Sequence, residues 1–400
     1  MGSKGAGACT KISLSSPVAE MMRVLCVVGT RPEAIKMAPV ILGLKAEPWA
    51  EVRVLATAQH RGLLDQVLDE FNIVPDIDLD IMRPGQSLAD LTSRLLAAVD
   101  GALESEAPDA VLAQGDTTSV MVTALACFYR GIRFGHVEAG LRTGNIENPF
   151  PEELNRIIAG RVAKWHFAPT ASSADNLVRE GIAAGSVFIT GNTVIDALFA
   201  IAGEIHAPFS IRRPGGRLIL ITAHRRESFG EPMREICFAV RELARLYPDD
   251  HFLFPVHPNP NVQSLAEAIL SESENVMLSA PLVYGRFVAA MKESHFILSD
   301  SGGIQEEAPA LGKPVLVLRD ETERPEAVEA GVVKLVGAHF ERIVMEARKL
   351  LDDEVEYHRM ARGISPYGDG KASQRIIEVL RLQHHRMLES HCQGSNANAD

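Results

Sequence analysis

The sequence predicts an α/β protein built as two similar halves, and three observations carry that expectation. Short, nearly continuous apolar runs alternate with stretches of helical periodicity from Arg23 onward. A second series of such runs begins at Leu218. Polar and ionisable clusters follow run after run, at the place where parallel strands present their carboxyl ends to a ligand.

In the first half, strands are expected at Arg23–Val28, Val52–Ala56, Ala110–Ala113, Phe134–Val137, Trp165–Ala168 and Val187–Thr190. The first is followed by Gly29-Thr30-Arg31-Pro32-Glu33, in which Thr30 and Glu33 have the spacing of a capping box and proline suits a first helical turn. Arg31 and Lys36 oppose the helix dipole there, so an anionic ligand explains them better than helix stability does. With only one glycine in this stretch, the dinucleotide fingerprint is absent. Asp116, after the third strand, is either a carboxylate facing a cleft or a cap for the next helix. Glu138 ends the fourth strand before glycines, where capping does not account for it. Glu152 opens a helix after Asn148-Pro149-Phe150-Pro151, a position where the dipole favours acids in any case.

In the second half, strands are expected at Leu218–Thr222, Phe252–Val256, Val276–Leu278, Phe296–Leu298, Val315–Leu318 and Val332–Leu335. His224, Arg225 and Arg226 follow the first of these, and three such groups beside a cleft repel one another unless an anion or carboxylates neutralise them. His257 follows the second strand. The fourth leads into Ser299-Asp300-Ser301-Gly302-Gly303, read as strand, glycine turn and helix start. Amides at such a helix start suit a phosphate, and Glu307, one turn beyond Gly303, could accept hydrogen bonds from ribose hydroxyls. The plainer alternative is a turn closed by glycines with an acidic first helical turn. Arg319 to Arg324 mixes basic and acidic residues in a loop and helix start.

Four hundred residues with 46% apolar content suffice for more than one globular core. A net charge of −12 argues against nucleic acid or an anionic membrane as partner. Cys9, Cys26, Cys127, Cys237 and Cys392 are odd in number and widely spaced, which suggests a reducing compartment and no zinc framework. No run approaches the length of a membrane span, so the expected location is cytoplasmic. Residues 1–21 are expected to be a disordered extension and residues 391–400 a mobile tail.

The stretches GTRPEAIKMAP, TAQHR, GDTT, GHVEAGLRTG, PFPEELNR, TGNTVIDAL, HRRESFG, PVHPNPNV, SDSGGIQEEAPALGKPVL and TERPEA, in this order, give the chain a resemblance to the non-hydrolysing UDP-N-acetylglucosamine 2-epimerases over residues 22–384. That resemblance implies the GT-B fold, with two Rossmann-like doubly wound parallel-sheet domains facing a central cleft. Residues 22–195 would form the first, completed by a C-terminal helix at 370–390, and residues 196–369 the second, which binds UDP.

The implied reaction interconverts UDP-GlcNAc and UDP-ManNAc with no cofactor and no metal, through elimination of UDP to 2-acetamidoglucal and re-addition. By the same resemblance Asp116, Glu138, Glu152 and His224 are catalytic, with the base among the carboxylates left open. Arg31, Lys36, Phe287, Ser301, Gly302, Gly303, Glu307 and Arg324 would hold the substrate, and Gln59, His60, Arg225 and His257 an activating second molecule. Leu282 stands where some relatives have a glutamine, Ala223 where glycine is usual, and Gly62 and Gly85 where activated relatives place a glutamine and an arginine. Weak activation, a homodimer and closure of the two halves on UDP are the further expectations. The rivals are a GT-B glycosyltransferase acting on a UDP-sugar, a hydrolysing epimerase and a UDP-sugar sensor without turnover.

Overall fold

Each apolar run becomes a parallel strand because a strand covered on both faces needs apolar residues on both. The computed structural model describes residues 21–57, 61–83, 85–204, 215–223, 225, 229–322 and 324–397. In the first half the strands are β1 (Met22–Val28), β2 (Ala50–Ala56), β3 (Ile77–Asp78), β4 (Ala110–Gln114), β5 (Arg133–Val137), β6 (Trp165–Ala168) and β7 (Val187–Ile189). In the second they are β8 (Leu218–Thr222), β9 (His251–Pro255), β10 (Val276–Ser279), β11 (Ser294–Ser299), β12 (Val315–Val317) and β13 (Val333–Leu335).

Two all-parallel sheets result, ordered β3-β2-β1-β4-β5-β6-β7 and β10-β9-β8-β11-β12-β13. This is the doubly wound architecture expected, two such sheets forming the GT-B arrangement. The strand β3 has no counterpart among the expected ones, because Asp76 and Asp78 interrupt any apolar run at this short edge. Each sheet reverses its strand order once, between β1 and β4 and between β8 and β11. Ligands of such sheets bind beyond the strand ends at these reversals. Gly29 and Asp116 flank the first, and Ala223 and Ser301 the second.

One buried apolar cluster runs from the first sheet into the inner face of the second, joining Val24, Val40 and Ile41 to Leu220, Val288 and Ile304. The helix Thr193–Glu204 lies at its centre and buries Ile195, Leu198 and Ile201. The boundary expected at 195/196 therefore falls inside a helix. Its Asp196 accepts hydrogen bonds from Ala372 N at 3.1 Å, Ser373 N at 2.8 Å and Ser373 Oγ at 2.6 Å, which ties down the start of the helix Ala372–Ala397. That last helix returns to the first half. Ile376 and Leu380 join its core, Ile377 packs over Gly43, and His384 stacks on Trp49 with ring centroids 5.9 Å apart.

Candidate active site in the cleft

Beyond β1, Thr30 caps the helix Arg31–Lys45 through the expected capping box. Glu33 Oε2 accepts from the amides of Gly29 at 2.5 Å and Thr30 at 3.2 Å, and burial lifts its carboxyl to about 7. Glycine is required at 29, where a Cβ would stand 2.4 Å from Thr57 Oγ1. This tight start sends Arg31 across the cleft, and its Nη2 donates to the Leu282 carbonyl at 3.2 Å. Burial holds the Arg31 guanidinium below its ordinary value, against the opposing pull of Glu70 and Glu307. Lys36 Nζ donates to Glu138 Oε1 at 2.6 Å and lies 3.9 Å from Glu306 Oε2. Burial alone would lower Lys36, but these two carboxylates outweigh it and raise the ammonium above its usual range.

Glu138 sits at the end of β5 with φ +63°, a left-handed backbone that costs a non-glycine residue on the order of 1 kcal/mol. Neighbouring ladder bonds hold it there, Gly115 N donating to Val137 O at 3.1 Å and Ala139 N to Phe167 O at 3.0 Å. Its Oε1 accepts from Lys36 and from Asn192 Nδ2 at 2.9 Å, and its Oε2 from Gln114. Burial would raise this carboxyl. The Lys36 ammonium and these hydrogen bonds prevail and keep it below the ordinary glutamate value.

Asp116 does not cap the helix Thr118–Arg130, contrary to one expectation, because Thr117 takes that role by accepting from Val120 N. The carboxylate is instead left to Arg156, whose Nη2 donates to Oδ2 at 2.6 Å. With its side chain 32% exposed, Asp116 opens onto the cleft. Burial raises its carboxyl, Glu138 and Glu152 push the same way, and Arg156 opposes them. Glu152 is the first residue of the helix Glu152–Val162 and is half-buried beside Asp116. Its neighbour Glu153 is structural and accepts from the amides of Thr143 and Gly144. His136 on β5 is held neutral, burial lowering it to about 4, so its Nε2–H donates to Gly115 O at 2.7 Å and shapes the turn carrying Asp116.

In the second half Gly302 and Gly303 form the first turn of the helix Gly302–Ala310 rather than a left-handed turn before it. Ser301 precedes them and makes no side-chain cap, its amide donating to Ser299 Oγ at 3.0 Å. The reason for glycine at 302 is packing. A Cβ there would lie 2.8 Å from Arg324 Cζ, so the guanidinium rests across the helix start. Arg324 Nε also donates to Glu306 Oε1 at 2.6 Å. Glu307 is buried, accepts from Tyr284 Oη at 2.7 Å, and is lifted by burial to about 7. Phe287 is partly buried against the shared core. Arg225 donates its amide to Asp300 Oδ2 at 2.9 Å, and His257 Nδ1 accepts from Asn259 N at 3.2 Å. His224, Gln59 and His60 lie outside the described residues.

Polar side chains from both halves thus meet in one cleft: Arg31, Lys36, Asp116, Glu138 and Glu152 from the first, Arg324 and Glu307 from the second. Among the described residues, no group of three or more His, Cys, Asp or Glu could hold a metal ion. The arrangement offers cations and helix amides for an anion at one end, and carboxylates in differing environments for proton transfer at the other. Sequence reasoning missed Gln114, Asn192 and Glu306, which hold this array together. Gln114 lies two residues before Asp116 at a strand end and Glu306 adjoins Glu307, so both were within reach of the same argument.

A sequence profile described as UDP-N-acetylglucosamine 2-epimerase matches residues 43–381. The chain is 51% identical over 370 residues to the UDP-N-acetylglucosamine 2-epimerase of Escherichia coli (strain K12), covering 90% of this chain and 98% of that protein. It is likewise 51% identical over 364 residues to the Bacillus subtilis (strain 168) protein of the same name, covering 91% and 96%. Among solved structures, the UDP-GlcNAc 2-epimerase from Neisseria meningitidis bound to UDP-GlcNAc superposes with a TM-score of 0.85 at 49% identity, covering 90% of this chain and 99% of that one.

Proposed function

Because the chain belongs to the UDP-N-acetylglucosamine 2-epimerase family, we propose that it is an isomerase that inverts C2 of UDP-GlcNAc, giving UDP-ManNAc, by elimination and re-addition. The observation that carries this reading is the cleft itself, with paired carboxylates at one end and Arg324 over a glycine helix start at the other.

The proton at C2 has no adjacent carbonyl to acidify it, so simple deprotonation is implausible. In the proposed path the C1–O bond to phosphate breaks and its electron pair leaves with UDP, and the C2 proton passes to a carboxylate. A C1–C2 double bond forms, giving 2-acetamidoglucal. Re-addition of UDP at C1, with a proton delivered to the other face of C2, completes the inversion. Arg31, Arg324, Ser301 and the amides of Gly302 and Gly303 stabilise the departing diphosphate. Glu307 receives the ribose, and Phe287 contributes to the nucleotide pocket. Asp116, Glu138 and Glu152, with His224, supply the acid and base groups, while Lys36 holds Glu138 ionised.

Arg225 and His257, with Gln59 and His60, are assigned to a second nucleotide-sugar site with weak activation. The protein acts as a homodimer in the cytoplasm on this reading. Among the described residues no helix is long and apolar enough to cross a membrane. Incubation with UDP-GlcNAc in heavy water tests the proposal. UDP-ManNAc forming with deuterium at C2 of both epimers is the expected result. Free ManNAc as the product would identify a hydrolysing enzyme, and transfer of the sugar only to an added acceptor would identify a glycosyltransferase.

A further inference from the structure

The roles above leave Glu306 and Asn192 without a function, although both lie at the centre of the buried charge array. The two oxygens of Glu306 face opposite ends of the site. Its Oε1 accepts from Arg324 Nε at 2.6 Å, on the diphosphate side. Its Oε2 accepts from Asn192 Nδ2 at 2.9 Å and lies 3.9 Å from Lys36 Nζ, on the sugar side. Asn192 spends both amide hydrogens on carboxylates, since the same nitrogen donates to Glu138 Oε1 at 2.9 Å.

The orientation of that amide is settled by its other end. Asn192 Oδ1 accepts from Val194 N at 3.1 Å, so a flipped amide would face an N–H with its own NH2 and two carboxylates with its oxygen. Asn192 is also fixed through its backbone, its N–H donating to Tyr367 O at 2.6 Å. These groups are shielded from water, with side-chain exposures of 3% for Glu306, 5% for Glu138, 13% for Lys36 and 18% for Arg324. Two carboxylates brought this close in a dry site repel strongly unless cations and donors separate them. Lys36 and Asn192 do so at the sugar end, and Arg324 does so at the diphosphate end.

We propose that Glu306 and Asn192 are positioning residues that link the two ends of the active site: Glu306 holds Arg324 over the helix start and shares Lys36 with Glu138, while Asn192 fixes the two carboxylates relative to each other. This rests on the roles assigned above to Lys36, Glu138 and Arg324. Charge developing on the departing diphosphate draws Arg324 toward it and away from Glu306. Glu306 then compensates by taking a larger share of Lys36, which loosens the grip of Lys36 on Glu138. The link acts while the C1–O bond is breaking, so breaking it lowers turnover without weakening the resting affinity for UDP.

Glu306→Gln, which keeps the shape and removes the charge, tests the link. The wild-type protein is first shown to epimerise UDP-GlcNAc, and failure at that step would count against the proposed function rather than against the link. The variant is expected to lose kcat by about ten- to a hundredfold, the scale of a misplaced catalytic group. Its calorimetric affinity for UDP should stay unchanged or become tighter, because Arg324 is released to the phosphates. UDP binding also reports that the variant is folded. Should Glu306→Gln fail to fold, Asn192→Ala removes the shared donor, together with the acceptor of Val194 N, and is read in the same way once UDP binding shows that it is folded. Retained kcat, or kcat and UDP affinity falling together, overturns the proposal.

Discussion

Glu138 combines a strained backbone, full burial and three hydrogen-bond donors, which is more support than a structural carboxylate receives. Glu138→Gln and Asp116→Asn are each expected to lower turnover by about a hundredfold, the scale of a lost acid or base. Thermal unfolding with and without UDP would show whether the variants remain folded. Glu307 behaves differently because burial raises its carboxyl from 4.5 to about 7. Between those values the folded protein keeps a proton that the unfolded chain has lost, so stability is full below the unfolded value and falls as pH rises toward about 7. Glu307→Gln removes that loss. The variant should therefore gain on the wild type, by about 3 kcal/mol at most, as nucleotide-free unfolding is followed from about pH 5 to about pH 8. The residue types of this site were legible as carboxylates and cations after strands. Their partners were not, because a pairing such as Asn192 with Glu306 joins positions 114 residues apart.

At the scale of elements, the proposed anion-binding end of the helix Gly302–Ala310 depends on the space Gly302 leaves for Arg324. Gly302→Ala pushes the guanidinium away and should weaken UDP binding by about ten- to a hundredfold, the worth of a charge-assisted contact, as measured by calorimetry. Gly101 is the contrasting case. It lies exposed within the helix Leu88–Glu106 with nothing within 4 Å of an added Cβ, so Gly101→Ala should raise unfolding stability by about 0.5–1 kcal/mol. Buried strands were legible to within a residue or two because their apolar runs are dictated by cover on both faces. The strand β3 was not, since an edge pair needs only two residues and tolerates Asp78. Asp116 was ambiguous for a related reason, because the following Thr117 could cap the helix equally well and does so.

At the scale of the whole molecule, polar contacts outside the charge array also join the halves. Glu70 Oε1 accepts from Gly285 N at 2.6 Å, Arg31 reaches the Leu282 carbonyl, and Glu326 accepts from Ser172 Oγ at 2.7 Å. A carboxylate seated at the start of the helix Tyr284–Glu293 favours the closed arrangement. Small-angle scattering of Glu70→Ala without nucleotide should give a larger radius of gyration than the wild type, and saturation with UDP should bring the two together. Equal radii without nucleotide would mean that other contacts suffice. That a second half existed was legible from the repeated strand series, but the core continuing through the helix Thr193–Glu204 was not, because periodicity does not say which faces meet.

The return of the helix Ala372–Ala397 to the first half also bears on how the molecule is made. Protein synthesis proceeds from the N-terminus, so β1 to β7 leave the ribosome long before Ile376 and Leu380 exist. Until those residues emerge, the side of the helix Arg31–Lys45 at Gly43, over which Ile377 packs, stays uncovered, although its other apolar residues already meet the first sheet and the helix Thr193–Glu204. The half that is translated first is therefore the half whose core closes last.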